Sequence, residues 1–196
     1  MKVIGTIGMN GSGKDTVIKY ISKNYGIPIL TISDLVRQAD STGKFEPTRD
    51  NLTRVAFDRI RKYGPDYFPR KVIRIIKKKR WDTVGIAGIR SHADVETFRK
   101  RFGDDFILIF VDVPDARTRF QRVRNRAEPR DPKTFDEFLR QDKKEEENFQ
   151  LSEVTREAKY TLRNDKDLNA LFAQIDKLMA NVLGHGPKLS RSHGET

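Results

Sequence analysis

The sequence predicts an α/β fold built on a parallel sheet, and three observations support it. Apolar runs at about 2–7, 27–32, 83–89, 106–112 and 159–163 alternate with stretches of helical periodicity, the pattern left by strand–helix–strand crossovers. The run Phe106-Ile107-Leu108-Ile109-Phe110-Val111 is apolar at every position, which suits a strand covered on both faces. The first run passes straight into a glycine-rich loop and then a helix carrying Val17, Ile18 and Ile21 on one face.

That loop, Gly8-Met9-Asn10-Gly11-Ser12-Gly13-Lys14-Asp15-Thr16, has the spacing of a phosphate-binding P-loop. Glycines let backbone N–H groups converge on phosphate oxygens, the following helix offers its positive end, and a lysine bridges the outer phosphates. Gly8, Asn10, Gly11, Ser12, Gly13, Lys14, Asp15 and Thr16 are therefore the expected contacts to ATP. Asp15 stands where a Ser or Thr usually ligates magnesium. A carboxylate is also a hard oxygen donor, so Asp15 and Thr16 are the candidate metal ligands.

The second run ends in Thr31-Ile32-Ser33-Asp34-Leu35-Val36-Arg37, at the kind of strand end where open α/β sheets bind ligands. Asp34 and Arg37 can share one helical turn, Arg37 gripping an acceptor phosphate while Asp34 orients the attacking oxygen. The alternative is an N-cap at Ser33 or Asp34 with Arg37 in solvent. Thr48 then predicts the cap of a helix ending near Tyr63-Gly64-Pro65, and a second helix follows over about 66–79. The segment from about 38 to 80 is thus a helical insert. Arg70, Lys71, Arg74, Lys77, Lys78, Lys79 and Arg80 read as its solvated face, with Val72, Ile75 and Ile76 inward.

The third run closes with Gly88-Ile89-Arg90, and Arg90 is a candidate acceptor-phosphate ligand. After the fourth run, Arg119, Arg122 and Arg126 recur at helical spacing, so three guanidinium groups can converge, with Arg130 beyond. Arg122 and Arg126 are the candidate catalytic arginines, together with Lys14 and Asp34. A turn at Arg130-Asp131-Pro132-Lys133 leads into a charged helix over about 134–148, where Glu145-Glu146-Glu147 reads as solvated. The segment from about 117 to 148 is a short arginine-rich lid. Leu168, Leu171, Phe172, Ile175, Leu178, Met179 and Val182 form the core stripe of a last helix, and 184–196 is expected to be a flexible tail.

Composition sets the outer limits. At 196 residues the chain fits one domain over 1–183, and zero cysteine excludes disulfides, thiolate metal sites and cysteine nucleophiles. No apolar run reaches the roughly 20 residues of a membrane span, and the N-terminus reads as a buried strand, so a cytoplasmic protein without membrane partners is expected. A net charge of +11 favours anionic partners without choosing among them.

In its P-loop followed by Asp34-Leu35-Val36-Arg37, the chain resembles the P-loop nucleoside monophosphate kinases. It looks closest to adenylate-kinase-related and dephospho-CoA-kinase-like proteins of archaea and bacteria. Glu46-Pro47-Thr48-Arg49-Asp50-Asn51-Leu52, Tyr63-Gly64-Pro65-Asp66, Gly88-Ile89-Arg90-Ser91, Asp131-Pro132-Lys133 and Gln141-Asp142 carry the likeness through most of the chain. The resemblance implies a three-layer kinase fold with a five-stranded parallel sheet in the order 2-3-1-4-5, a mobile acceptor lobe and a mobile lid. It implies ATP as donor, Mg2+ as metal and a nucleotide or coenzyme as acceptor, with Asp34, Arg37 and Arg90 holding that acceptor. It also implies a loop after the last strand against the donor base, with Asn164 the residue there. An acidic residue often precedes Gly-Ile-Arg in such proteins, and here that position is Ala87.

Three functions compete at this level. The first is an ATP-dependent phosphotransferase acting on a nucleoside or deoxynucleoside monophosphate. The second is a dephospho-CoA kinase, whose usual acceptor element has its acid four residues before the arginine, against three from Asp34 to Arg37. The third is a nucleotide-dependent, nucleic-acid-binding ATPase, motivated by charge and by Ala87 but lacking a recognised reading motif.

Overall fold

The computed structural model describes residues 1–39, 48–128 and 131–187. Glu46 and Pro47 of the kinase-like stretch, Arg130 of the arginine-rich segment and the tail from 188 to 196 lie outside the described residues. The strands are β1 (Lys2–Ile7), β2 (Ile29–Thr31), β3 (Thr83–Ala87), β4 (Phe106–Asp112) and β5 (Tyr160–Arg163). They form one parallel sheet in the order β2-β3-β1-β4-β5, as the resemblance implies. The helices are α1 (Lys14–Tyr25), α2 (Ile32–Gln38), α3 (Arg49–Tyr63), α4 (Tyr67–Lys79), α5 (His92–Phe102), α6 (Ala116–Arg126), α7 (Phe135–Phe149), α8 (Leu151–Thr155) and α9 (Leu168–Leu183).

Alternation along each strand divides the core in two. Val3 and Ile7 of β1 join Phe106 and Leu108 of β4 under Phe68, Val72 and Ile76 of α4 and Val95 and Phe98 of α5. Ile4, Ile107, Ile109 and Val111 face the other way, onto Val17, Ile18 and Ile21 of α1 and Leu171, Ile175 and Met179 of α9. Both faces of the central strands are thus dry, which accounts for the unbroken apolar run in β4. Each such side chain contributes about 1.5–3 kcal/mol of burial.

Parallel pairing places the functional loops together. Thr31 lies in register with Ala87, Gly5 with Ile86, and Ile7 with Phe110, so the segments after β2, β3, β1 and β4 all leave one edge of the sheet. Two strands are shorter than their apolar runs. β2 stops at Thr31 because α2 begins at Ile32, and Ile27 packs instead against α1 and α9. β3 stops at Ala87 because Gly88 turns to φ 89°.

Helix starts follow side-chain caps. Thr48 accepts the Asn51 amide at the start of α3, Asp115 accepts the Arg117 and Thr118 amides at α6, and Asp167 accepts the Ala170 amide at α9. Capping boxes open α5 (Ser91 with Asp94) and α7 (Thr134 with Glu137). α4 turns Val72 and Ile76 inward and its cations outward as expected, whereas Ile75 is only half-buried and Phe68 completes the stripe. In α9 the core stripe begins at Leu171, Leu168 being exposed at the first turn. No helix among the described residues is long and apolar enough to cross a membrane.

α1 and α9 are joined by a polar clasp inside their apolar seam. Asp176 accepts hydrogen bonds from Tyr25 (2.8 Å) and Tyr20 (3.0 Å), and Tyr20 stacks on Phe172 at 4.1 Å between ring centroids. Burial, then the Asp176 hydrogen bond and charge, raise the Tyr25 hydroxyl well above the ordinary tyrosine range, so it remains a donor. Asp176→Ala strands the buried Tyr25 hydroxyl, and a loss of about 2–3 kcal/mol is expected in urea unfolding, with Asp176→Asn losing less.

Candidate functional site

The glycine loop after β1 is shaped by its neighbours. Ser12 N–H closes a turn on the Met9 carbonyl at 3.1 Å, and Gly13, at φ 91°, is the N-cap of α1 with no side-chain cap. The first amides of α1 have no intrahelical acceptor and point out of the helix end, the arrangement that binds anions. Two glycines are dictated by contact as well as by φ. A Cβ on Gly11 (φ 78°) would lie 2.4 Å from the Arg119 carbonyl oxygen, and one on Gly13 would lie 2.4 Å from Asn164 Nδ2. Lys14 folds its ammonium back to the Met9 carbonyl at 3.4 Å, a long bond that a stronger acceptor can replace. Ser12 Oγ and Asn10 Nδ2 are buried without a hydrogen-bond partner among the described residues.

Asn164 is placed differently from expectation. It is buried, and its amide donates to the Ser12 carbonyl at 2.8 Å, so it props the loop from below rather than lying open to a base. The loop-supporting role follows from the sheet: Asn164 immediately follows β5, and its own amide bonds the Asp112 carbonyl at the end of β4.

The acceptor-side candidates leave adjacent strands. α2 starts directly at the end of β2, and Asp34 and Arg37, one turn apart and both exposed, form an ion pair. Gly88 lies against the first turn of α2, which brings the Arg90 segment beside it. Asp94 Oδ2 accepts both the Arg90 amide (3.0 Å) and the Ser91 amide (3.1 Å), fixing the backbone that carries Arg90. Burial raises the Asp94 carboxyl, and those two hydrogen bonds oppose the rise. The Arg90 guanidinium meets Glu145 of α7 at 3.0 Å and lies 5.9 Å from the Phe149 ring centroid.

The three arginines of α6 do not converge as equals. Arg119 is buried, pairs with Asp142 of α7 and donates to the Asn10 carbonyl at 3.2 Å, with its guanidinium 5.2 Å from the Phe138 ring centroid. It holds α6 and α7 against the glycine loop and cannot sweep toward a ligand. Arg126 forks onto Asp131 and lies near Glu128. Its Asp131 hydrogen bond, with the charges of Asp131 and Glu128 acting against the cost of burial, holds its pKa above the ordinary value. Arg122 keeps a buried Nη1 without a hydrogen-bond partner among the described residues.

Two acids were hidden in a helix face. Glu145 is buried against Arg90, not solvated, and Asp142 is buried against Arg119. Phe138, Asp142, Glu145 and Phe149 recur at steps of four, three and four, so both carboxylates stand on the apolar stripe of α7. An acid on such a stripe is the signal that could have revealed them. Of the neighbours, Glu146 accepts from Ser152 and Glu147 faces Lys143 at 3.8 Å in solvent.

The metal candidates lie on the first turn of α1. Asp15 and Thr16 are both exposed there, while Ala87 is buried in the layer beneath α1 and α9. No group of three or more His, Cys, Asp or Glu side chains gathers into a metal cage among the described residues. One carboxylate and one hydroxyl suit a hard cation that takes its other ligands from phosphates and water, as Mg2+ commonly does.

The chain is similar to known proteins in sequence and in fold. Residues 7–139 match a family model described as an AAA domain. A UPF0200 protein of Pyrococcus horikoshii is 33% identical over 189 residues, covering 94% of this chain and 100% of its own length. A UPF0200 protein of Hyperthermus butylicus is 34% identical, covering 94% and 96%. Among solved structures, TT1252 from Thermus thermophilus superposes with a TM-score of 0.58 at 21% identity, covering 92% and 97%. Shikimate kinase from Acinetobacter baumannii, in complex with shikimate, gives 0.53 at 19%, covering 94% of each chain. At these identities the two structures speak for the fold. The chain belongs to the AAA-domain family over residues 7–139 and to the UPF0200 proteins over nearly its whole length, on a P-loop kinase scaffold.

Proposed function

We propose that this protein is a magnesium-dependent phosphotransferase that passes the γ-phosphate of ATP to a nucleoside or deoxynucleoside monophosphate. The observation that carries this is the common sheet edge: an uncapped, glycine-shaped anion site after β1, with Asp34 and Arg37 after β2 and Arg90 after β3. A donor-only machine has no need of a second set of phosphate-directed arginines on neighbouring strands.

In this reading Gly8, Asn10, Gly11, Ser12, Gly13 and Lys14 hold the donor phosphates, and Lys14 exchanges its weak loop contact for a charged one. Asp15 and Thr16 would hold Mg2+, which would supply positive charge against the phosphates. Arg37 and Arg90 take the acceptor phosphate, and Asp34 orients the attacking hydroxyl or oxygen. Arg122 and Arg126, from the segment over the loop, stabilise charge on the transferred group while water is kept out. Asn164 acts on the donor site through Ser12.

The first test is ADP release with MgATP and a panel of ribo- and deoxyribonucleoside monophosphates, dephospho-CoA and, because a structural neighbour binds it, shikimate. Stimulation by monophosphates above the other acceptors is expected, and Lys14→Ala should lower that rate by about 10²–10³-fold. A flat response to every monophosphate sinks the proposal, and preference for dephospho-CoA moves it to that substrate.

The metal assignment is tested at Asp15. Asp15→Ala should raise the Mg2+ concentration needed for half-maximal rate, and Asp15→Ser should restore part of the affinity; unchanged metal dependence in both variants rules Asp15 out as a ligand.

The arginines of α6 should separate by readout. Arg122→Ala should lower kcat with the unfolding midpoint held. Arg119→Ala should instead destabilise the fold by about 3–5 kcal/mol, because it leaves Asp142 charged and buried. Equal effects of the two substitutions on kcat, with stability unchanged, would contradict this division.

A further inference from the structure

We propose that the outer face of α4, with the tyrosine pair at its start, binds single-stranded nucleic acid through backbone phosphates and a stacked base. The proposal stands apart from the phosphotransferase reading, since it uses none of the residues that serve there.

Charge is concentrated on this helix. Residues 67–80 hold seven Lys and Arg and no Asp or Glu, so this stretch carries +7 of the chain's net +11. Tyr67, Arg70, Lys71, Arg74, Lys77 and Lys78 recur at helical spacing along one side of α4, while Phe68, Val72 and Ile76 fill the core from the other. Arg74, Lys77 and Lys78 are exposed. Asp66, 3.4 Å from Arg70, is the acid that meets this row among the described residues. At 1.5 Å per residue the row is about 16 Å long. Like charges held in such a row repel one another, and a polyanion laid along it relieves that repulsion.

Tyr63 extends the row at its N-terminal end. Its ring stacks on Tyr67 with centroids 5.0 Å apart and planes 18° from parallel. Arg70 donates to the Tyr63 carbonyl at 2.7 Å, which fastens the turn between α3 and α4 to the cations. Lys62 lies 5.2 Å from the Tyr63 ring centroid and Lys71 4.9 Å from that of Tyr67. Tyr63 is 42% exposed, so a base can stack on the pair from outside without parting it, with Lys62 moving from the ring to a neighbouring phosphate.

Rings and cations together favour a polynucleotide over other polyanions. An acidic peptide has no base for the tyrosines, and the apolar face of α4 is already buried in the core, so the helix has none to sink into a membrane. Stacking needs an unpaired base, which selects single strands over duplex. α4 ends at Lys79 shortly before β3 starts at Thr83, so the row leads toward the sheet edge opposite the glycine loop.

The test is fluorescence anisotropy of labelled oligo(dT) and oligo(U), each about 15 nucleotides long, titrated with the full chain at several salt concentrations. Excess MgATP keeps the strands off the glycine loop. Both strands should bind, and log K should fall against log salt with a slope of roughly −2 to −3, as three or four neutralised phosphates give. Arg74→Gln, Lys77→Gln and Lys78→Gln combined should weaken binding by about tenfold or more and flatten that slope by about 2. Tyr63→Ala should weaken binding about tenfold with the slope unchanged, and Tyr63→Phe should keep the affinity. Full binding by the triple variant, or an affinity indifferent to Tyr63→Ala, overturns the proposal. Equally tight capture of poly-glutamate or of phosphatidylserine vesicles overturns it too, by marking a general polyanion surface.

Discussion

A single buried guanidinium connects the phosphate loop to everything above it. Arg119 reaches the Asn10 carbonyl on one side and the Asp142 carboxylate on the other, and its own backbone carbonyl presses so closely on Gly11 that no side chain fits there. Charge buried in this way is costly unless fully paired, so α6, α7 and the loop must assemble together or not at all. The glycine pattern of the loop is thus partly a packing requirement. Gly11 makes room for α6 and Gly13 makes room for Asn164, before any phosphate is considered.

The same helix extends this logic toward the acceptor side. Two turns of α7 supply Asp142 to Arg119 of α6 and Glu145 to Arg90, and Phe149 continues the face toward α3. One helix therefore contacts Arg119, which holds the glycine loop, Arg90 after β3, and the helical insert. The acids do more than neutralise charge. An arginine fork already oriented by a buried carboxylate loses less freedom when it engages a phosphate, and it cannot stray onto competing partners. The exposed Asp34–Arg37 pair, one turn apart in solvent, is weaker and is free to exchange partners.

The fold was legible because its signals were local. Thr48 marks a helix start by its own hydrogen bond, and the strand–helix alternation pointed to a parallel sheet. Strand ends were less legible: Gly88 reads as apolar run continuing, yet its backbone turns away after Ala87. At the site, the glycine loop was evident from spacing, but Asn164, Asp142 and Glu145 were misjudged or missed. Asn164 depends on Ser12 and Glu145 on Arg90, partners more than 50 residues away in the chain, and Asp142 on Arg119, 23 residues away on another helix. Those partners lie outside α7, and the local signal within it is the place of two acids on the stripe of Phe138 and Phe149.

The position of acidity around the donor site follows from these constraints. β3 ends in Ala87, buried among apolar side chains beneath α1 and α9, where a carboxylate would be stranded without water or a cation partner. Asp15 occupies the opposite environment, exposed on the first turn of α1, where the positive helix end favours a negative side chain. The exposed first turn of α1 and the apolar end of β3 are thus opposite environments for a carboxylate, and only the first leaves it in water.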